Sequence, residues 1–156
     1  MAKKEIQKKI EVVNRKASFE YEVLERYSAG IVLAGSEIKY IRENGCSLGE
    51  SYCYFKAGEL WVKNMNIPIY DKAVFTNHDP LFVRKLLLKK RELAKIEAKV
   101  KERGVSIIPL KLFTNERGFL KMEIGLCRGK KSFDKRDSIK EKDNKRELDR
   151  VMKKYK

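Results

Sequence analysis

The chain has 156 residues, 42% of them hydrophobic, with 37 Lys and Arg against 22 Asp and Glu for a formal charge of +15. That length fills one modest core, and no run approaches the roughly 18 consecutive apolar residues of a membrane span or the apolar block of a secretory signal, so the expected compartment is the cytosol. Cations in such excess repel one another unless a polyanion neutralises them, which points to nucleic acid ahead of a membrane surface, since the basic C-terminal stretch has too few bulky apolar residues to insert.

Residues 1 to 13 read as a charged arm. From Phe19 the pattern alternates, with Phe19, Tyr21 and Val23 on one face of an expected strand. Ala29 to Gly35, "AGIVLAG", is a short apolar run bounded by glycine and reads as a second, buried strand. The period then changes. Ile38 and Ile41 stand three apart with charges on the other faces, and Asn44-Gly45 is a stop signal, so a short helix is expected. "ESYCYFKAGELWVKNMNIPIY" predicts a hairpin turning at Ala57-Gly58. Arg84 to Leu88 reads as a buried strand or as the start of a helix, with the strand preferred, and Lys89 to Arg103 as a helix through Leu93, Ile96 and Val100, with Gly104 as its closing residue. Two apolar-rich strands follow around "TNERG". Pro109 places the first of them at an edge or a bulge, because proline cannot donate a ladder hydrogen bond. The expected fold is mostly β with embedded helices, a five- or six-stranded barrel of the OB type over residues 14–127, followed by a basic tail over 128–156.

Catalytic parts are scarce. His78 is the sole histidine and lies in a turn, where a bond to its own backbone is the ordinary role. Cys46, Cys53 and Cys127 are too few and too irregular for a zinc site, and an odd number argues against a disulfide framework, so all three read as reduced packing residues. Asp134 and Asp137 would share a helix face, but Lys130, Lys131, Lys135 and Arg136 surround them, so charge neutralisation outweighs a metal site. No glycine-rich phosphate loop joins a strand to a helix. The expectation is a protein that is not an enzyme and needs no cofactor or metal.

Binding features are better represented. Asn14, Arg15 and Lys16 precede an aromatic segment and suit phosphate contact beside a stacking surface, or simply a solvated strand entry. Glu37, Lys39 and Arg42 ring the short helix. In "RKLLLKKRE" the leucines read as core, while the cations face RNA or water.

In order, "NRKASFEYEV", "AGIVLAGSEIK", "RKLLLKKRE" and "RGKKSFDKRDSIKEKD" resemble the SsrA-binding protein (small protein B) family of bacteria, from about Asn14 to Arg150. The resemblance implies an OB-type barrel that holds the tRNA-like end of transfer-messenger RNA. It also implies a tail that enters the vacant mRNA path of a stalled ribosome, in trans-translation. Elongation factor Tu with GTP and alanyl-tRNA synthetase are implied as partners of the complex. The matching barrel positions are Asn14, Arg15 and Lys16; Glu37, Lys39 and Arg42; and Arg84, Lys85, Leu86, Leu87 and Leu88. In the tail they are Gly129, Lys130, Lys131, Asp134, Lys135, Arg136, Ile139, Lys140 and Glu141. Phe133 replaces the family's usual His or Tyr, which keeps stacking and loses a side-chain hydrogen bond. Ser28 replaces a Glu implicated in RNA binding, and Phe82 stands where the family often has Arg.

The last 29 residues hold 13 Lys and Arg against 6 Asp and Glu, which is +7 of the chain's +15. So few apolar side chains do not offset a backbone ordering cost of roughly 1–2 kcal/mol per residue, so the tail is expected to be disordered when free. Leu148, Val151, Met152 and Tyr155 nevertheless follow i, i+3, i+4, i+7 spacing, and Glu141 with Lys145 and Asp149 with Lys153 stand in the stabilising i, i+4 order. A helix is expected when a ribosomal surface is offered, with Val151 and Met152 on its apolar stripe.

Overall fold

A computed structural model describes residues 9–73, 77–130 and 132–154; within the last segment the side chains of 132–135, 137 and 138 lie outside the described set. The described residues form seven strands and four helices: β1 (Glu11–Val13), α1 (Arg15–Glu20), β2 (Tyr21–Ile31), α2 (Gly35–Asn44), β3 (Tyr52–Lys56), β4 (Glu59–Lys63), β5 (Arg84–Leu87), α3 (Lys90–Val100), β6 (Val105–Thr114), β7 (Leu120–Gly129) and α4 (Ser132–Lys154). All pairings are antiparallel. The order β6-β3-β4-β5-β2-β7 closes on itself through β6–β7, giving a six-stranded OB-like barrel, and β1 adds beside β3 along the same edge of β6. No described helix is long and apolar enough to cross a membrane.

The barrel interior is filled by alternate residues of each strand, including Ala29, Leu60, Val62, Leu86, Ile107, Leu112, Met122, Ile124 and Leu126, with Ile41 of α2 and Ile96 of α3 sealing it. A second, smaller cluster lies outside the wall, where Ala17 of α1 covers Ile108, Leu110 and Cys127 beside Tyr21 and Val23. Two bulges let the same strands serve both clusters. Ile107 and Leu112 both face inward although five apart, because the β6–β7 register shifts between Pro109 and Lys111. Val23 faces the outer cluster and Ala29 the inner one although six apart, because β2 shifts against β7 between Val23 and Glu25. Pro109 thus sits at a bulge, one of the two positions its missing N–H allows.

Several local expectations hold. The hairpin turns on Ala57 and Gly58, both at positive φ (51° and 75°), the twist that a two-residue connection requires. α2 and β5 form where the sequence period placed them. Others are corrected. Phe19 is helical, because Asn14 caps α1 by accepting from the Ala17 N–H at 3.2 Å. The two strands expected around residues 19–35 are a single strand, β2, carried past its midpoint by the bulge. Glu11–Val13 of the charged arm is a strand on β6, whereas residues 1–8 lie outside the described residues. α3 stops at Val100, and Gly104 (φ 84°) closes a separate turn ahead of β6. The helix that the tail's spacing predicts is present as α4. Past Gly129 there is neither Gly nor Pro, and Lys, Arg, Glu, Leu and Met are among the better helix formers.

All three cysteines are free. Burial pushes the Cys46 thiol up to about 12 and Cys127 to about 11, and raises Cys53 as well. Each unit costs a factor of ten in thiolate, so at pH 8 iodoacetamide should modify Cys46 on the order of a thousandfold more slowly than a free thiol, and all three fully in guanidinium. Mass spectrometry of timed aliquots checks this; rapid native labelling would mean that the thiols are not packed as described.

Candidate nucleic-acid interface

The outer face of β7, β2, β5 and β4 is built by register. Gly30 pairs with Lys121 on one side and Leu87 on the other, Ser28 pairs with Glu123, and Lys85 pairs with Trp61. Their neighbours Ala29, Leu60, Val62, Leu86 and Met122 point inward, so this set points out. A Cβ on residue 30 would stand 3.3 Å from Leu87 Cβ, so the absent side chain is what lets Leu87 lie across β2, where it is 51% exposed. The result is an apolar patch with Lys85 and Lys121 beside it, which suits backbone contacts from the cations and base contacts from Leu87.

Beneath this face lies a buried ion pair. Arg84 and Glu37 are 2% and 4% exposed, and the Arg84 Nε–H donates to Glu37 Oε2. The guanidinium also donates to the carbonyls of Met65 (2.7 Å) and Pro80 (3.2 Å), while Glu37 Oε1 accepts the Ala34 N–H at 3.0 Å and caps α2. One pair therefore joins β5, α2 and the 65–80 loop. His78 adds a second tie, with Nδ1 2.8 Å from Ser36 Oγ and Nε2 2.8 Å and 2.9 Å from the carbonyls of Ile67 and Pro68. Its partners are distant backbone and α2, not its own turn.

Several residues expected to face RNA are turned to other work. The Asn14 amide donates to the carbonyls of Leu48 (3.1 Å) and Pro109 (2.8 Å) while its oxygen caps α1, so its bonding capacity is spent inside. Glu37 and Arg84 are sealed against each other, and Leu86 is core. Arg15, Lys39 and Arg42 are exposed, Lys16 pairs with Glu50, and Lys85 pairs with Glu59 at 2.9 Å. Such half-exposed pairs are worth about 0–1 kcal/mol, so a phosphate can displace the carboxylate. Ser28 and Leu87 are brought onto one patch with Gly30 and Lys121. Lys121, Arg26 and Trp61 were missed. Trp61 was within reach, since alternation through Leu60 and Val62 turns it outward.

In the tail, Gly129 ends β7, and Lys130 is tied down: its N–H donates to the Glu20 carbonyl at 2.8 Å and its Nζ to the Ser18 carbonyl at 3.0 Å. Arg136, Ile139, Lys140, Glu141, Leu148, Val151 and Met152 are exposed on α4. Lys131 and Tyr155 lie outside the described residues, as do the side chains of Phe133, Asp134 and Lys135.

A family model for the SmpB protein matches residues 11–154. The chain is 60% identical to an SsrA-binding protein of Cytophaga hutchinsonii, over 97% of this chain and 99% of that one. It is 52% identical to one of Christiangramia forsetii, over 94% of each. Among solved structures it is similar to a chain described under "tmRNA-SmpB: a journey to the center of the bacterial ribosome", with a TM-score of 0.66 and 43% identity over 78% of this chain and 85% of that one.

Removing one partner of the buried pair leaves the other charge uncompensated, which costs about 3–5 kcal/mol. Arg84→Met should therefore lower stability in urea by that amount, and adding Glu37→Gln should recover part of it. Equal losses that simply add would show that the two side chains are not coupled.

Proposed function

The chain belongs to the SmpB family, and from that membership we propose that it binds the tRNA-like domain of transfer-messenger RNA and brings it to stalled ribosomes in trans-translation. The observation that carries this reading is the continuous family match from residue 11 to 154, which takes in both the barrel and the tail. The excess of +15 supports an RNA partner, and the exposed Leu87 flanked by Ser28, Lys85 and Lys121 supports a surface that touches base and backbone together. Working in the cytoplasm, the protein makes and breaks no bond itself. Its role is to position RNA.

The division of labour follows the chain. Residues 14–127 hold the RNA through Arg15, Lys16, Ser28, Lys85, Leu87 and Lys121, with Lys39 and Arg42 of α2 supplying further cations. Asn14, Glu37, Arg84 and Leu86 serve this surface from inside, as positioning residues. Residues 128–156 act in the empty mRNA channel and decoding site. There Lys131, Lys135, Arg136 and Lys140 neutralise rRNA phosphates, Phe133 stacks, and Ile139, Val151 and Met152 meet an apolar surface. α4 has 23 residues and so spans about 34 Å at 1.5 Å per residue, enough to extend well beyond the barrel. Elongation factor Tu with GTP and alanyl-tRNA synthetase act on the same RNA, outside the surface described.

The two halves separate in one experiment. Because Lys130 is anchored to Ser18 and Glu20, the chain should be ended after that residue and not before it. The truncated protein should bind transfer-messenger RNA within about threefold of the full chain in a gel shift, and show a shallower salt dependence only if tail cations contribute to binding. Tagging of nascent chains on stalled ribosomes should be lost. If truncation abolishes RNA binding, or bulk tRNA competes equally with transfer-messenger RNA, the division and the specificity respectively fail.

A further inference from the structure

Beside the Leu87 patch the same outer face opens into a cavity of about 600 Å³, walled by Val32, Ala34, Trp61, His78, Phe82 and Lys85. A second hollow of about 260 Å³ shares Trp61, Phe82 and Val83 with it and adds Tyr54. Phe82 is 62% exposed, and the Trp61 indole N–H is buried without a hydrogen-bond partner among the described residues. An aromatic ring held in the open at the mouth of an apolar cavity forgoes burial unless something flat enters beside it.

Building on the RNA-binding reading above, we propose that this groove receives one unpaired nucleobase of the bound RNA. The base stacks against the exposed Phe82 ring beside the Trp61 side chain, and Lys85 meets a flanking phosphate. Continuity places it: Lys85 and Leu87 belong to one strand, and Val32 follows the end of β2, with its N–H bonded to the Lys85 carbonyl at 3.0 Å. Charge selects a base over a phosphate. The Arg84 and Glu37 charges are spent on each other, and the other charged residues lining the two hollows, Asp79 and Glu59 against Lys85 and Lys56, leave no excess of positive charge to draw a phosphate in. His78 is already bonded through both ring nitrogens and serves as wall. Phe82 lines both hollows, so its ring is the surface they share with Trp61 and Val83.

Trp61 is the chain's single tryptophan, so its emission reports on the groove directly. Titrating the full chain with a transcript of the tRNA-like domain should quench that emission in step with the gel shift. Phe82→Ala should weaken binding roughly tenfold, within the range that base stacking supports, while Phe82→Tyr keeps near-native affinity. Chemical probing of base edges should find one unpaired nucleotide protected in the native complex and reactive in the Phe82→Ala complex. If the RNA binds but Phe82→Ala leaves both affinity and footprint unchanged, the groove proposal falls and the RNA-binding reading stands, whatever the emission does. Quenching that appears only on adding a protein factor would assign the groove to that protein and overturn the proposal. If the native chain fails to bind the transcript at all, both fall.

Discussion

The Glu37–Arg84 pair is taken out of water between α2 and β5, and the outer surface of the barrel inherits its geometry. Arg84 is the first residue of β5, so fixing its side chain inward fixes the phase of the strand: Lys85 out, Leu86 in, Leu87 out. The same guanidinium donates to the Met65 and Pro80 carbonyls and so ties both of those positions to β5. A buried ion pair is poor value as a source of stability, since desolvation offsets most of the attraction. Its use here is positional. An apolar pair of equal volume would fill the space but would not cap α2 and hold two loop carbonyls at once.

Charge is distributed to match. Inside, each charged side chain has its counter-ion and hydrogen bonds, as the low-dielectric setting demands. Outside, cations on the barrel meet carboxylates in half-exposed pairs such as Lys85–Glu59, Arg26–Glu123 and Arg128–Glu102. These pairs are weak in water, so they keep the free surface from excessive self-repulsion and surrender their cations when a polyanion with a higher charge density arrives. The excess of +7 in the last 29 residues is instead spread along a helix with exposed side chains.

What was legible in the sequence divides along this line between local and long-range causes. The hairpin, α2 and the β6–β7 pair declare themselves through period and turn chemistry, which depend on residues a few positions apart, whereas the apolar run of β5 reads also as a helix start. α1 was misread because Phe19, Tyr21 and Val23 do alternate, while Asn14, whose oxygen caps the helix, is held in place by bonds to Leu48 and Pro109 that span 34 and 95 residues. The bulges were foreshadowed only at Pro109. Among site residues, composition identifies a cation but not its direction. Arg84 and Lys85 are adjacent and equally basic, yet one is sealed and the other faces out, a difference set by Glu37 some 47 residues away. Ser28, Leu87 and Lys121 come from three separate strands, so no stretch of sequence could display them as one patch.

The tail presents the opposite case, in which structure adds little to sequence because so little of it packs. α4 meets the barrel through α1, and Lys130 fixes only its origin. Beyond that point Leu148, Val151 and Met152 are more than half exposed, at 65%, 52% and 71%. A helix so placed is held by backbone propensity and not by burial. Its stability is therefore close to neutral, and a partner has little ordering cost left to meet. A barrel fixed throughout by long-range contacts and a helix fixed mainly at its origin suit different tasks. The first presents a surface that must match one RNA, and the second threads a channel whose walls supply the contacts it lacks.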